Sequence, residues 1–472
     1  MSKEEHEDNE DEDDWMKYAN AGFGQTDYSL WDETEQPPTE DEDDSSLDQP
    51  QQLGTHMEEI PRAPSPAGHK HLVRIGTCDH CLGRLGGKKT FNQSIEQSGA
   101  EIRATVIERD AHLSTAREEE PLCPFCENLY EEAELLSDII FDALEPYELS
   151  RLQLGARIPK DQIEEEEEMR KRFGAGGSDA LKSGLVSTIA QHLNKRLEGV
   201  KLVNDKPQIL ALIDVLTLTV ELDIRAHYLY GRYLKLERGI PQTRWPCRAC
   251  RGRAQGCDSC EETGLQYIDS VQDLIGEPIR EALGAEDTSF HGMGREDIDV
   301  RCLGSGRPFV LEVKKPSKRQ LPVEDLVDLV MENALEKVEV DSLTWCTRKK
   351  VNEVKQSRSE KTYTIRFRAE GLVDIEDAEK SILSLDGQVI DQETPQRVSH
   401  RRAAKIRRRK ITSIENVRFE GDEIEITMRC EAGTYIKELV HSDEGRTTPS
   451  VQSVLGTDCE VIWLDVLEIH SE

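Results

Sequence analysis

Two periodicities of apolar residues alternate along the C-terminal half of the chain. Apolar residues spaced by two, such as Tyr363, Ile365 and Phe367, predict strands that bury one face, whereas spacings of three and four indicate amphipathic helices. The predicted strands are 361–368, 424–430 and 460–469, and the predicted helices are 270–283, 326–335 and 375–385. Elements interspersed in this way predict an α+β domain with helices packed on a face of one sheet.

The segment before residue 245 has its own signals. Helical apolar spacing runs over 129–149 and 186–197, and the β-branched run 208–222 predicts strands of a core sheet. Residues 227–239 then mix three tyrosines with arginine and lysine. Such a mixture is typical of nucleic-acid binding, in which rings stack on bases, and equally of core and rim packing. Both interpretations stay open on the sequence alone.

The stretch 294–313 carries the most concentrated candidate chemistry. Polar and apolar residues alternate over 297–302, which predicts a half-buried strand, and the glycines at 304 and 306 predict a hairpin turn into a second strand, 307–313. Asp297, Asp299 and Arg301 would then share a polar face. A solvent-side salt-bridge ladder is the common outcome of such alternation. The sequence Gly-Arg-Glu-Asp at 294–297 favours a functional site, because glycine permits close approach and arginine can hold a phosphate or orient an acid.

Charge divides the chain unevenly. The formal net charge is −34, but residues 1–60 hold 21 Asp or Glu and only two lysines, which leaves about −15 for the rest. Acidic runs, Pro, Gln and the lack of apolar periodicity predict a disordered acidic tail over 1–66. The simplest role for such a tail is to keep the protein soluble. The alternative is that the tail competes with RNA for basic sites on the protein. The remaining acidity argues against a nonspecific nucleic-acid binder, which needs clustered cations.

The compartment also follows from the sequence. There is no run of some 18 apolar residues, and the N-terminus is acidic where a signal peptide would be basic. We therefore expect a cytoplasmic protein without a membrane partner. In a reducing compartment its twelve cysteines should be thiols or metal ligands. The sequence carries no oligomerisation signal, so a monomer is expected.

Eight cysteines form four CxxC knuckles. The first two knuckles are separated by 41 residues and the last two by six. Two sulfurs at this spacing fit adjacent corners of a zinc tetrahedron, so one or two closed, structural zinc sites are predicted. The predicted ligands are Cys78, Cys81, Cys123, Cys126, Cys247, Cys250, Cys257 and Cys260.

The pairing of these knuckles is open at this stage. Spacing does not exclude pairing across the two sets, and the second set is tight. Free buried cysteines are the bland alternative, and a redox dithiol is the other, although its usual signature is one isolated CxxC in a strand-helix context.

A basic segment stands out against the acidic background. Residues 400–410 hold seven Lys or Arg in eleven positions. Most charge runs are solvated loops or faces, but a positive patch maintained against the net field favours phosphate binding.

Several of these stretches together resemble the pseudouridine synthases. Gly294-Arg-Glu-Asp297 resembles their Gly-Arg-x-Asp motif, and Lys361-Thr-Tyr363 and Gly433-Thr-Tyr-Ile-Lys437 resemble their later active-site motifs. The stretches 228–233, 238–243, 294–312 and 394–402, with the Cys247 knuckles, are similar to the archaeal tRNA pseudouridine synthases that modify uridines 54 and 55 of the T-arm. This THUMP-containing family is matched over roughly residues 70–472.

The resemblance implies an enzyme, an isomerase acting on tRNA, and a role for each matching residue. Asp297 would be the catalytic aspartate, Tyr363 the active-site tyrosine, Lys437 the basic partner that keeps the carboxylate ionised, and Ile436 and Leu464 apolar walls of the uracil pocket. Arg295 and the basic segment, with Arg401, Arg402 and Arg407, would bind the flipped-out substrate. Periodicity alone does not distinguish Asp297 from Asp299.

The implied architecture has four parts. They are the acidic tail 1–66, a zinc-binding THUMP-like tRNA-binding domain over 67–245, a zinc knuckle over 246–264 and a catalytic domain with a mixed, mainly antiparallel sheet over 265–472. The isomerisation needs no organic cofactor.

Two other functions compete with the enzyme. In a non-enzymatic zinc-knuckle tRNA-binding protein or RNA chaperone, Asp297 would only order its hairpin. In a zinc-dependent redox protein or chaperone, the cysteines alone would matter.

Overall fold

The computed structural model describes residues 64–86, 93–114, 116–119, 121–173, 175, 178–253, 255–371, 374–401 and 403–471. The predicted acidic tail lies outside these residues except for 64–66, where Ser65 caps the first helix by accepting a hydrogen bond from the Gly68 amide at 3.3 Å. No helix in this described part is long and apolar enough to cross a membrane.

The N-terminal region places helices beside a small sheet. Its elements are α1 (Pro66–Arg74), α2 (Asp79–Gly86), α3 (Ile95–Arg109), a 3₁₀ turn (Ala111–Leu113), α4 (Ala116–Glu119), α5 (Ala133–Leu144), β1 (Arg151–Arg157), α6 (Lys160–Phe173), α7 (Leu181–Leu193), β2 (Lys201–Leu202), β3 (Ile209–Asp214) and β4 (Thr219–Ile224). The strand order is β2-β1-β3-β4, with β1 parallel to both neighbours and β3 antiparallel to β4. Leu136 and Ile140 of α5, Leu185 of α7 and Ile209 of β3 are fully buried in its core.

The C-terminal region is built on a larger sheet. Its elements are β5 (His227–Lys235), a 3₁₀ turn (Asp258–Cys260), α8 (Val271–Ala282), β6 (Asp287–Gly292), β7 (Arg301–Lys314), α9 (Val323–Ala334), β8 (Val338–Cys346), α10 (Arg348–Gln356), β9 (Lys361–Ala369), α11 (Ile375–Leu383), β10 (Val389–Glu393), a 3₁₀ helix (Gln396–Arg401), β11 (Ile406–Glu420), β12 (Glu423–Cys430), α12 (Ile436–His441), β13 (Thr447–Thr448), α13 (Val451–Leu455) and β14 (Cys459–Ile469).

The described strands of this sheet are ordered β13-β10-β11-β12-β9-β14-β7-β5-β8, with β6 also paired to β7. β7 and β14 run parallel. The other pairs are antiparallel. The α+β fold with a mixed, mainly antiparallel sheet is therefore confirmed, and so are the strands predicted over 361–368, 424–430 and 460–469 and the helices predicted over 270–283, 326–335 and 375–385. The boundaries predicted at 245 and 264 stay predictions. The strand before them, β5, belongs to the larger sheet.

The hairpin predicted over 297–313 is wrong. Residues 295–300 form an irregular loop between β6 and β7, and β7 continues through Gly304 and Gly306. Both glycines have positive φ, and a Cβ at Gly304 would lie 1.8 Å from the carbonyl oxygen of Leu467 in β14. Between Arg307 and Cys302 the pairing of β7 with β5 slips. The glycines thus form a bulge squeezed between two strands.

The three tyrosines of β5 lie on both faces of the strand. Tyr233 is fully buried, with its ring edge-on to Phe290 and Phe309 at centroid distances of 5.7 and 5.9 Å. Tyr228 and Tyr230 are half-buried on the other face of the strand. Core packing therefore accounts for Tyr233.

Candidate active site

The loop between β6 and β7 is anchored by the residue that precedes Asp297. The buried carboxylate of Glu296 accepts hydrogen bonds from the Tyr233 hydroxyl at 2.9 and 3.0 Å and lies 2.9 Å from Nε of the buried Arg307. Burial is the largest single influence and opposes the charge of Arg307, but Glu296, Cys302 and Tyr233 together outweigh it and raise the arginine pKa. Gln242 donates to the Gly294 carbonyl at 3.0 Å. The Gly-Arg-Glu-Asp stretch is thus fixed from inside the fold.

Backbone contacts hold the Asp297 end of the loop. The buried Lys235 ammonium donates to the carbonyls of Ile298 at 2.9 Å and Asp297 at 3.4 Å. Arg238 donates to the carbonyls of Asp299 at 2.8 Å and Leu464 at 2.9 Å, which joins the loop to β14. With its backbone fixed at both ends, the loop presents the Asp297 side chain, which is 35% exposed.

Two cations approach the same oxygen of Asp297. Arg397 Nη1 lies 3.0 Å from Oδ2, and Lys437 Nζ lies 3.6 Å from it. Arg397 belongs to the 3₁₀ helix after β10, and Lys437 is the second residue of α12. Neither residue is closer than 100 positions to Asp297 in the chain, so the tertiary fold assembles this set.

Arg397 is itself held by a buried acid. Its Nε lies 2.6 Å from Oε1 of Glu438, whose side chain is only 2% exposed. Burial opposes the charge on Arg397, but the hydrogen bonds to Glu438 and Asp297 outweigh that effect and raise its pKa. Glu438 therefore orients the guanidinium that faces Asp297.

Lys437 makes its shorter contacts to Asp299. Its Nζ lies 2.7 and 2.8 Å from the two carboxylate oxygens of Asp299, against 3.6 Å for Asp297. Burial opposes ionisation of Asp299, yet the hydrogen bond and charge of Lys437, with a backbone hydrogen bond and the charge of Arg397, together lower the carboxyl pKa. The lysine expected beside Asp297 is thus shared by both aspartates.

The three predicted pocket residues belong to one hydrophobic cluster, which adjoins the charged residues at Val300, next to Asp299, and at Ile436, next to Lys437. Tyr363 of β9, Ile436 of α12 and Leu464 of β14 are 8%, 4% and 7% exposed and belong to one hydrophobic cluster with Val300. Burial raises the pKa of the Tyr363 hydroxyl, so it stays protonated at neutral pH. The Tyr435 amide donates to the buried Gln392 side chain at 2.9 Å, which fixes the start of α12 and thereby Ile436 and Lys437.

The predicted substrate-binding arginines lie on different elements. The Arg295 guanidinium lies 5.3 Å from the centroid of the Trp245 ring. Arg407, on β11, donates to the Thr394 hydroxyl at 2.9 Å and lies 5.9 Å from the Tyr435 ring centroid. Arg402 and the side chain of Arg401 lie outside the described residues.

The cysteines form two separate groups of four. One holds Cys78, Cys81, Cys123 and Cys126 and the other holds Cys247, Cys250, Cys257 and Cys260, with all sulfurs of a group within 4.8 Å of one another. Individual Sγ–Sγ distances of 3.6 to 3.9 Å match the edge of about 3.8 Å of a tetrahedron with Zn–S bonds of about 2.3 Å. The open question of pairing is thereby answered, and both groups fit a divalent metal.

Sequence reasoning missed Arg397 and Glu438 as site residues. Arg397 lies within the stretch 394–402 and Glu438 follows Lys437 directly. A single arginine beside a basic segment and a single helical glutamate carry no periodic signal, so only their meeting in space reveals them.

Comparison with known proteins connects this geometry to a family. Residues 228–470, just over half of the chain, match the family model described as Pus10, C-terminal. The chain belongs to the Pus10 family. The protein named "tRNA pseudouridine synthase Pus10" of Methanothrix thermoacetophila is 37% identical over 84% of this chain and 93% of its own. The protein of the same name from Methanothermobacter marburgensis is 38% identical over 83% of this chain and 94% of its own.

A more distant Pus10 relative and a solved structure were also found. The protein from Halorubrum lacusprofundi, of the same name, is 33% identical over 84% of this chain and 93% of its own. Among solved structures, a chain in the crystal structure of a Cbf5-Nop10-Gar1 complex is 17% identical over 52% of this chain and 59% of its own, with a TM-score of 0.27.

Proposed function

We propose that this Pus10 family member is a tRNA pseudouridine synthase that isomerises uridines 54 and 55 of the T-arm. Its relatives, similar over most of both chains, are named tRNA pseudouridine synthases. The observation that carries the proposal is the Asp297 carboxylate, partly exposed and faced by Arg397 and Lys437 beside the apolar cluster of Tyr363 and Leu464.

The reaction is an isomerisation within one nucleotide. The bond from ribose C1′ to uracil N1 breaks, a bond from C1′ to C5 forms, and the proton on C5 is lost while N1 gains one. An ionised Asp297 serves as nucleophile or as base in this sequence. Arg397 and Lys437 both approach its Oδ2, and these charge-assisted contacts orient the carboxylate.

The apolar residues fit the uracil ring. Tyr363 offers a ring for stacking and, because burial raises its pKa, a protonated hydroxyl. Ile436 and Leu464 supply the walls that exclude water. Asp299 would be a neighbour that holds Lys437 in place, rather than the reacting acid.

A base in a folded T-loop reaches such a site only when flipped out. Flipping costs a few kcal/mol, which stacking and phosphate contacts offset. We assign those contacts to Arg295, Arg407 and the neighbouring Arg401 and Arg402. The N-terminal region 67–245, predicted to be THUMP-like, would hold the body of the tRNA.

Zinc is the metal proposed for both cysteine groups. Four thiolates complete a tetrahedral zinc site and leave no ligand position for water, so the ions would stabilise the fold. The cytoplasm is the proposed location. A monomer is sufficient, because one chain holds every residue assigned here.

Tritium release tests this function. Unmodified tRNA transcript labelled with tritium at uracil C5 loses the label when C5 bonds to ribose. Wild type should release tritium, and Asp297→Asn should release none while binding tRNA normally. Asp299→Asn is the matched control, and it should keep activity within about tenfold because Arg397 still faces Asp297. Tritium release by Asp297→Asn, or none by wild type that binds tRNA, would refute the proposal.

A further inference from the structure

The second cysteine group adjoins the candidate active-site loop through Trp245, the residue just before it. Its two ends are joined by hydrogen bonds from the Cys247 amide to the Gly264 carbonyl and from the Gln266 amide to the Trp245 carbonyl, both at 2.8 Å. The Trp245 ring lies 5.6 Å from the Tyr267 ring on one side and 5.3 Å from the Arg295 guanidinium on the other. We call residues 246–264 the knuckle.

Arg244, which precedes Trp245, is held by acids of the neighbouring elements. Its guanidinium pairs with Asp273 and Glu277 of α8 and lies 3.8 Å from Asp287 of β6. Burial opposes its charge, but Asp273, Glu277 and Asp287 together outweigh that effect and raise its pKa. These ion pairs join the residue that precedes Trp245 and the knuckle to α8 and β6.

Three arginines on the knuckle, unlike Arg244, are not paired with acids among the described residues. Arg248, Arg251 and Arg253 are exposed, and no hydrogen bond or ion pair involves their side chains among the described residues. The knuckle also holds three acids, Asp258, Glu261 and Glu262, all after Cys257, so its formal side-chain charge from Arg, Asp and Glu sums to zero. In a chain of net charge −34, where arginines such as Arg244 and Arg397 meet carboxylates, three exposed guanidinium groups within six residues of its first half are a local concentration of positive charge.

The patch lies within reach of the reacting nucleotide. Arg295, which the Trp245 ring contacts, is two residues from Asp297, a backbone span of at most about 7 Å. Arg248 is three residues from Trp245, at most about 11 Å. Together these spans put the patch within a few nucleotides of a base held at Asp297.

We propose that the knuckle is a phosphate-binding surface for the RNA backbone next to the flipped nucleotide, with Arg248, Arg251 and Arg253 as its contacts. That the RNA is a tRNA follows from the proposed function, on which this inference rests. Guanidinium groups suit phosphate oxygens because their N–H donors form paired, charge-assisted hydrogen bonds. The metal would keep the arginines on a rigid platform, so binding costs little conformational entropy.

Charge reversal tests the surface. The Arg248→Glu/Arg253→Glu variant should bind unmodified tRNA transcript roughly tenfold more weakly, and the slope of log K against log salt should fall by about 1.5 to 2. At the level of catalysis KM should rise, while kcat at saturating tRNA stays within about twofold, because the contacts are present in ground and transition states alike.

Two further variants complete the experiment. Arg248→Lys/Arg253→Lys keeps the charge and should keep the salt slope. Lys380→Glu/Arg418→Glu is the control, because it makes the same charge change away from the knuckle. Lys380 lies on α11 with its side chain 71% exposed, and Arg418 lies near the end of β11 with its side chain 72% exposed. This variant should leave KM unchanged. Zinc content and Tm of each variant establish folding. Should charge reversal disturb the knuckle, Arg248→Gln/Arg253→Gln gives the same test with a smaller charge change.

The outcomes separate this inference from the proposed function. A salt slope and KM equal to those of the Lys380→Glu/Arg418→Glu control would overturn the knuckle proposal even in an active enzyme. Wild type that binds tRNA but forms no pseudouridine would overturn the proposed function, and the binding comparison would still decide whether the knuckle holds phosphates.

Discussion

Single residues at the candidate site act through partners that are themselves fixed. Asp297 is partly exposed, but Arg397, which faces it at 3.0 Å, is held at 2.6 Å by the buried Glu438. A buried carboxylate that loses its only cation costs about 3 to 5 kcal/mol. Stability and positioning therefore depend on the same arginine, and variants can separate the two.

Arg397→Met should lower the free energy of unfolding by about 3 to 5 kcal/mol, because Glu438 is left buried and unpaired. Adding Glu438→Gln removes that charge and should restore most of the loss. Activity should stay about a hundredfold below wild type in both variants, because Asp297 has lost the group that orients it. Denaturant unfolding and kcat measure the two effects, and a double variant that regains activity along with stability would contradict this role.

Lys361 gives a pH dependence with a definite sign. Burial lowers the pKa of its ammonium from 10.5 to about 8, and its Nζ donates to the Ser359 carbonyl at 2.8 Å. Between pH 8 and 10.5 the unfolded chain binds this proton and the folded chain does not, so the lysine's contribution to stability rises with pH across that window.

Below pH 8 the charged lysine costs stability on the order of 3 kcal/mol. The stability advantage of Lys361→Met over wild type should therefore be larger at pH 7 than above pH 10.5 by about that amount. Urea unfolding of both proteins across this range measures it, since other titrations cancel in the difference. An advantage independent of pH would show that Lys361 is charged at no cost.

At the scale of elements, periodicity predicted what local pattern determines. The strand at 361–368 and the helix at 375–385 are present because their apolar residues face one core. The alternation over 297–302 failed as a strand signal, because Lys235 and Arg238 hold that backbone in a loop through contacts that sequence spacing does not encode.

The site residues show the same division. Asp297, Tyr363 and Lys437 could be named from motifs, whereas Arg397 and Glu438 could not. Arg397 and Glu438 are 41 residues apart in the chain. They meet only because the 3₁₀ helix packs against α12. The preference of Lys437 for Asp299 likewise follows from the path of the loop.

The two cysteine groups predict different consequences of metal loss. Cys81, Cys123 and Cys126 are part of the main N-terminal core, whereas the Cys247 group is a small cluster of its own. Wild type should hold two zinc ions per chain, and Cys123→Ser and Cys257→Ser one each. Only Cys123→Ser should lower the melting temperature of the N-terminal region.

Elemental analysis and thermal unfolding check this difference. Structural zinc contributes on the order of 10 kcal/mol of binding free energy to folding, so the loss is large enough to see. Two zinc ions retained in either variant would contradict the assignment of ligands.

At the scale of the whole molecule, the residues after β7 contact those before β1 and so connect the larger sheet to the smaller one. The Glu148 amide donates to the Ser317 carbonyl, and the Arg319 amide donates to the Glu148 carboxylate, both at 2.7 Å. The net charge of −34 leaves few positive surfaces, and the knuckle and the segment 405–410 are among them. An RNA substrate should thus be guided to the side of the molecule that carries Asp297.

The most direct test of the central claim is nucleotide-resolution mapping of pseudouridine, by carbodiimide modification, in one unmodified tRNA transcript after incubation with wild type or Asp297→Asn. We predict signals at positions 54 and 55 with wild type and none with the variant, although both bind the tRNA. Signals outside the T-arm, or no signal from a wild type that binds tRNA and holds its zinc, would contradict the account.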